Sequence, residues 1–170
     1  MDVNMTGNTE ENTQREQNLK TAGQLFSFIQ ASPSPFHAVA NMKRELDAHG
    51  YAQLLEGEEW RLEEEGKYYV IRNGSALIAF RIPKRDFTGF QIMASHSDSP
   101  SFKIKENPEM DVEGHYVKLN VEKYGGMLCA LGLTGRCPWA GRVIVRDGSR
   151  LVTRLVKYRP GLVHDSESGD

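Results

Sequence analysis

Leu19, Ala22, Leu25, Phe26 and Ile29 stand three and four residues apart, which predicts a helix from about Gln17 to Gln30. Ser32-Pro33-Ser34-Pro35 breaks that pattern, and Ser34 can cap a second helix with Pro35 at its first position. Phe36, Val39, Ala40, Met42 and Leu46 give the second helix its apolar face, and Gly50 stops it. Tyr68–Ile71 and Ala76–Arg81 flank Arg72-Asn73-Gly74-Ser75; Asn-Gly between two apolar runs predicts an antiparallel hairpin. Gly89-Phe90-Gln91-Ile92-Met93 then reads as a buried strand, continuing to Ser95.

Beyond Pro100 the pattern alternates. In His115–Glu122, Tyr116, Lys118, Asn120 and Glu122 fall on one face, and Val117, Leu119 and Val121 on the other. Ala140–Val145 and Leu151–Val156 flank an Asp147-Gly148-Ser149 turn. Short strands with no helix between them predict a β-rich unit, unlike the helical first half. Met1–Arg15, rich in Asn, Thr and Glu, reads as a disordered leader. Six glutamates in Glu56–Gly66 read as a solvated face or turn. No internal repeat and no heptad pattern is visible.

Composition narrows the classes. With 39% hydrophobic and 26% charged residues, the 170-residue chain can build one domain with a real core, or one domain plus part of another. A net charge of -2 does not suggest a nucleic-acid partner. No apolar stretch approaches the ~20 residues that span a bilayer, and the polar first seventeen residues lack a secretory core. Two cysteines, Cys129 and Cys137, make no disulfide framework, so a cytoplasmic location is the simplest expectation.

The most informative chemistry is Ala94-Ser95-His96-Ser97-Asp98-Ser99-Pro100. A strand ending in His-x-Asp can present an imidazole at a sheet's carboxyl edge, where open α/β sheets place their sites. Neutral imidazole ligates zinc, and a nearby carboxylate can fix its tautomer. Spacing alone leaves a second and commoner reading open, a capping or hydrogen-bonded structural histidine. His37, in the first turn of the second helix, reads as packing or solvated rather than ligating. Ser95, Ser97 and Ser99 lack the Gly-x-Ser-x-Gly elbow, and the His-x-Glu and Pro-Cys-x-x-Cys pair of zinc deaminases is missing. Gly125-Gly126 lacks phosphate-binding spacing and reads as a turn, while Cys129 sits in an apolar run.

Several segments together resemble one family, the M18 zinc aminopeptidases of the aspartyl aminopeptidase type. Ser32-Pro33-Ser34-Pro35-Phe36-His37-Ala38-Val39 is similar to its amino-terminal signature, and Ala94–Pro100 to its first metal-ligand segment. Val121-Glu122-Lys123-Tyr124-Gly125-Gly126 and Ala140-Gly141-Arg142-Val143 resemble two further blocks, in the same order. The resemblance runs from about Leu25 to Val156. It implies an α/β fold in which the start of a zinc-peptidase catalytic domain is followed by the first part of an inserted β-rich dimerisation domain. The implied division is a disordered leader over 1–16, catalytic domain over 17–104, partial β-rich domain over 105–156 and a tail over 157–170.

It further implies two zinc ions, assembly into a large homo-oligomer and removal of amino-terminal residues, acidic ones among them, from peptide substrates. His96 takes the place of the first zinc ligand and Asp98 that of the carboxylate supporting it. The general base and the other ligands are expected beyond residue 170. One histidine and one supporting carboxylate cannot hold two zincs, so the polypeptide itself is expected to be inactive. A non-catalytic remnant, or an interaction module with an exposed β-edge, is the alternative.

The sequence departs from the family between Ala130 and Ala140. There the family has Pro-Trp-Leu-Asp-Arg-Pro-Leu-Ser-Val, and this chain has Leu131-Gly132-Leu133-Thr134-Gly135-Arg136-Cys137-Pro138-Trp139. Both peptides can be written from one stretch of DNA read a single base apart. Lys157–Asp170 can likewise be shifted to Asn-Ile-Asp-Arg-Asp-Leu-Cys-Met-Ile-Pro-Asn-Leu-Ala, which ends in a family block. The expectation is a pair of compensating frameshifts near codons 131 and 139 and a further one near 157. On that reading Cys137 and His164 are accidents of frame, Lys157–Asp170 is a disordered out-of-frame tail, and the β-rich unit is left with open edges. Genuine divergent loops are the alternative.

Overall fold

The computed structural model describes residues 7–84, 87–126 and 138–158, a mixture of helix and sheet in two compact units, Met1–Met93 and Ala94–Asp170.

In the first unit, α1 (Gly7–Ala31) and α2 (Pro35–Ala48) accompany a sheet of β1 (Ala52–Leu54), β2 (Lys67–Arg72) and β3 (Ala76–Arg81). The strand order is β1-β2-β3, with β2 parallel to β1 and antiparallel to β3. The start of α2 follows from its sequence. Ser34 is extended, its hydroxyl accepts from the His37 N–H at 3.4 Å, and Pro35 opens the helix. At the other end the Tyr51 N–H reaches Leu46 O at 3.0 Å and the Gly50 N–H reaches Asp47 O at 3.1 Å. This paired capping requires a left-handed residue, and Gly50 supplies it with φ +75. Asn73 (φ 52) and Gly74 (φ 67) close the β2–β3 hairpin with both residues left-handed, as the Asn-Gly pair predicts.

Residues 7–95 differ from expectation in three respects. Helix α1 begins at Gly7, so residues 7–16, expected in a disordered leader, are helical. That stretch is polar throughout but holds no proline, and its Glu, Gln and Arg residues favour helix. Leu19, Leu25, Phe26 and Ile29 are exposed, because α2 packs against α1 through positions such as Phe28 and Ala31 nearer its carboxyl end. The Asn41 side-chain amide secures that junction, donating to Ala31 O at 3.0 Å and Ser32 Oγ at 2.9 Å.

Gly89–Ser95 is not a strand: it is irregular, and Met93 is 94% exposed. A continuous apolar run suits a central strand with neighbours on both edges, and no strand among the described residues pairs with it.

The core of the first unit is Ala38, Val39, Tyr68 and Tyr69. Successive residues of a strand face opposite ways, so Tyr68 and Tyr69 serve two sides of the sheet. Tyr68 packs on Phe80, ring centroids 5.8 Å apart, and its hydroxyl accepts from the Glu63 N–H at 2.9 Å. Tyr69 is fully buried. Its hydroxyl donates to Asp47 Oδ1 at 2.7 Å and lies 2.6 Å from Lys43 Nζ, which also bonds Asp47 Oδ2 at 3.0 Å.

The Tyr69 hydroxyl, then Lys43, hold the Asp47 carboxyl below its usual range. The Tyr69 and Asp47 bonds push the Lys43 ammonium up, and burial pushes the Tyr69 hydroxyl up. A depressed carboxyl stabilises the fold above its ordinary value of about 3.9, an effect lost as pH falls through the lower folded value. Raised lysine and tyrosine groups stabilise below about 10, an effect lost as pH rises through the folded values. The cluster's contribution should therefore be flat between the two ranges and fall on both sides. Urea midpoints across pH will show this, with Asp47→Asn flattening the acid limb; an unchanged acid limb in that variant refutes it.

The second unit consists of two antiparallel hairpins. β4 (Ser101–Val112) pairs with β5 (Tyr116–Tyr124), and β6 (Trp139–Asp147) with β7 (Arg150–Tyr158). β5, β6 and β7 cover the strands predicted by alternation. β4 is interrupted between Ile104 and Glu109 by a bulge containing Asn107 (φ 51) and Pro108, where proline costs no ladder bond. Lys157 and Tyr158, the first residues of the expected disordered tail, pair in β7 with Ala140 and Trp139, and the Tyr158 ring stacks on Trp139 at 5.5 Å. Cys129, Leu131–Cys137 and His164 lie outside the described residues.

Candidate functional site

His96 and Asp98 occupy the irregular segment that leads into β4. The structure brings them together: His96 Nδ1 lies 3.1 Å from Asp98 Oδ1. A carboxylate only accepts, so Nδ1 carries the proton in this bond. When the ring is neutral, Nε2 is left with the lone pair, on a side chain that is 93% exposed. Asp98 is more sheltered, its side chain 30% exposed.

The other carboxylate oxygen, Oδ2, accepts from the Tyr124 hydroxyl at 2.5 Å. Asp98 thus carries a charge-assisted bond on each oxygen. Those bonds, Tyr124 first and His96 second, hold its carboxyl below the usual range. The same contact raises the Tyr124 hydroxyl, because ionisation would place two negative charges together.

A span of 26 residues separates Asp98 from Tyr124, and the β4–β5 hairpin closes it. Ser101 pairs with Tyr124, so the chain preceding β4 leaves the ladder beside the tyrosine. Gly125 follows with φ +77, and a Cβ there would sit 3.4 Å from the Cα, Cβ and Cγ of Pro100. Glycine supplies the left-handed turn while Pro100 packs alongside it.

Sequence reasoning paired His96 with Asp98 but missed Tyr124. The tyrosine lies in Val121–Gly126, which resembles a family block, yet only the unpredicted strand β4 puts it next to Asp98. His37 belongs to the first unit, where its Nδ1 lies 2.7 Å from Ser34 Oγ, as a packing histidine would.

The donor chemistry of His96 suits zinc, which takes a neutral imidazole nitrogen whose partner nitrogen donates to a carboxylate. It suits it as one ligand. Among the described residues no group of three or more His, Cys, Asp or Glu side chains could hold a metal ion. No helix among them is long and apolar enough to cross a membrane.

Comparison with known proteins gives a consistent result. The family described as aminopeptidase I zinc metalloprotease (M18) matches residues 28–163. A Clostridium acetobutylicum protein named "Probable M18 family aminopeptidase 2" is 46% identical over 150 residues, covering 85% of this chain and 35% of the relative. The cryo-EM structure of the Ape4 and Nbr1 complex superposes with TM-score 0.75 at 35% identity, over 80% of this chain and 27% of that one. The S. cerevisiae mApe1 dodecamer superposes with TM-score 0.73 at 28% identity, over 82% of this chain and 34% of that one. The chain spans about a third of the length of the curated relatives it matches.

Proposed function

The chain belongs to the M18 family of zinc aminopeptidases, and on that premise we propose that it carries the opening segment of a metallo-aminopeptidase active site. His96 Nε2 is one metal ligand, and Asp98 fixes the ring that presents it. The observation carrying this reading is the bond from Nδ1 to Asp98 Oδ1, which sets the tautomer a ligand needs. Zinc, two ions in the complete site, supplies water activation and polarisation of the scissile carbonyl when bound. The chain's own part is to hold one imidazole in a fixed orientation and to place a carboxylate charge behind it.

The substrates are peptides with a free amino terminus, acidic first residues among them, and the assembled enzyme is a cytoplasmic homo-oligomer. Exposed apolar residues such as Leu25, Phe26, Ile78 and Ile144 supply surface for such assembly. Residues 17–104 open the catalytic domain and 105–156 the inserted β-rich domain. A catalytic zinc needs about three protein ligands, of which we assign one, His96, among the described residues. The two-stranded sheets β4-β5 and β6-β7 favour a second reading, a non-catalytic module that binds through open β-edges.

A chimaera separates the two. Residues 28–126 would replace the matching segment of the C. acetobutylicum relative, with the unaltered relative as control. The chimaera should cleave aminoacyl anilides, lose that activity to 1,10-phenanthroline and regain it with zinc. A chimaera that folds and assembles like the control but releases nothing overturns the peptidase reading.

A further inference from the structure

We propose that Tyr124 is a positioning residue for the metal-binding histidine, acting through Asp98; the proposal rests on the reading of His96 as a ligand. A carboxylate beside a solvent-exposed imidazole has two rotatable bonds and four lone-pair sites, so one contact does not orient it. Here the second contact exists. The Tyr124 hydroxyl donates to Oδ2 at 2.5 Å while Oδ1 faces His96 Nδ1 at 3.1 Å, so the two bonds fix the carboxylate plane between two side chains. The shorter bond is the one to tyrosine, which makes Tyr124 the anchor and His96 the group being aimed. His96 needs such an aim, because its side chain is 93% exposed and Asp98 is the hydrogen-bond partner of its ring among the described residues.

The anchor is itself placed by backbone structure. Tyr124 is the last residue of β5, in register with Ser101, and Gly125 turns immediately after it against Pro100. The hairpin therefore fixes the Tyr124 backbone opposite Ser101, three residues past Asp98, and the hydroxyl reaches back to the carboxylate. In this arrangement a strand of the β-rich second half tunes the metal ligand.

The test uses the full 170-residue chain, with 15N spectra of the imidazole recorded at a pH where the ring is neutral. Wild type should show His96 with Nδ1 protonated and Nε2 bare. Tyr124→Phe, which keeps the ring and removes the hydroxyl, should shift His96 toward a mixture of tautomers. Zinc titration followed at His96 should then need about 3- to 10-fold more metal, at or below the low end of the range for groups outside the ligand set. Amide shifts of β4 and β5 confirm that the variant keeps its hairpin, and Asp98→Asn serves as a second variant that should disturb the tautomer at least as much. An unchanged tautomer and unchanged zinc response in Tyr124→Phe overturns the role of Tyr124 while leaving His96 a ligand. A zinc response of the amides on either side of position 96 that is identical in His96→Ala overturns the ligand reading instead.

Discussion

Alanine at position 96 will take the zinc-dependent activity of the chimaera to background, and no excess of zinc will restore it. The side chain removed is the proposed metal donor, and a catalytic zinc holds only about three protein ligands, so losing one empties or distorts the site. Asparagine at position 98 will behave differently. Its amide keeps an oxygen that can accept from His96 Nδ1 but loses the charge that both the imidazole and Tyr124 bond. The cost should be about 10- to 100-fold in metal affinity or activity, and added zinc should recover part of it. Rates at saturating and limiting zinc, measured on both variants, distinguish the two roles. If Asp98→Asn is as irreversibly dead as His96→Ala, Asp98 is not a supporting group and must itself contact metal or substrate. If His96→Ala keeps substantial activity, the structural reading of that histidine is the right one.

How far the sequence carried this site can be judged from particular residues. His96 and Asp98 were legible as a pair because two residues of separation in an extended segment leaves both side chains within reach of each other. Ser34, Pro35 and Gly50 were legible because capping chemistry is local, as was the Asn73-Gly74 turn, which needs only two left-handed residues. Tyr124 was not legible, since its contact with Asp98 depends on the pairing of β4 with β5. Strand β4 hides its alternation behind the bulge at Lys105–Pro108, where four residues on one strand answer one on the other. The misreading of Gly89–Ser95 has the opposite origin. Its apolar run satisfies the sequence rule for a buried strand, but burial requires neighbours, and the described residues provide none. Local rules thus identified caps, turns and the His96–Asp98 pair, while groups that depend on non-local pairing had to come from the structure.

Replacing Tyr69 by alanine will be the most damaging single change to the first unit, and phenylalanine at the same place will be mild by comparison. Tyr69 is 0% exposed, the most completely buried side chain of a small core. Deleting a buried aromatic ring of this kind costs about 3–5 kcal/mol, a large share of the roughly 5–15 kcal/mol that holds a domain folded. Phenylalanine keeps the ring and loses the hydroxyl's bonds to Lys43 and Asp47, together with a longer one to Gln53 Oε1 at 3.4 Å. Those partners are not stranded by its loss. They bond each other at 3.0 Å, and their side chains are 40% and 48% exposed, so water can replace the hydroxyl. The expected cost is therefore about 1 kcal/mol, below the value for a bond to a fully buried charge. Urea unfolding of the full chain at neutral pH, followed by tyrosine and tryptophan fluorescence, supplies both numbers. A phenylalanine variant as unstable as the alanine one would mean that the Lys43–Tyr69–Asp47 bonds, and not the packing of the ring, hold α2 to β2.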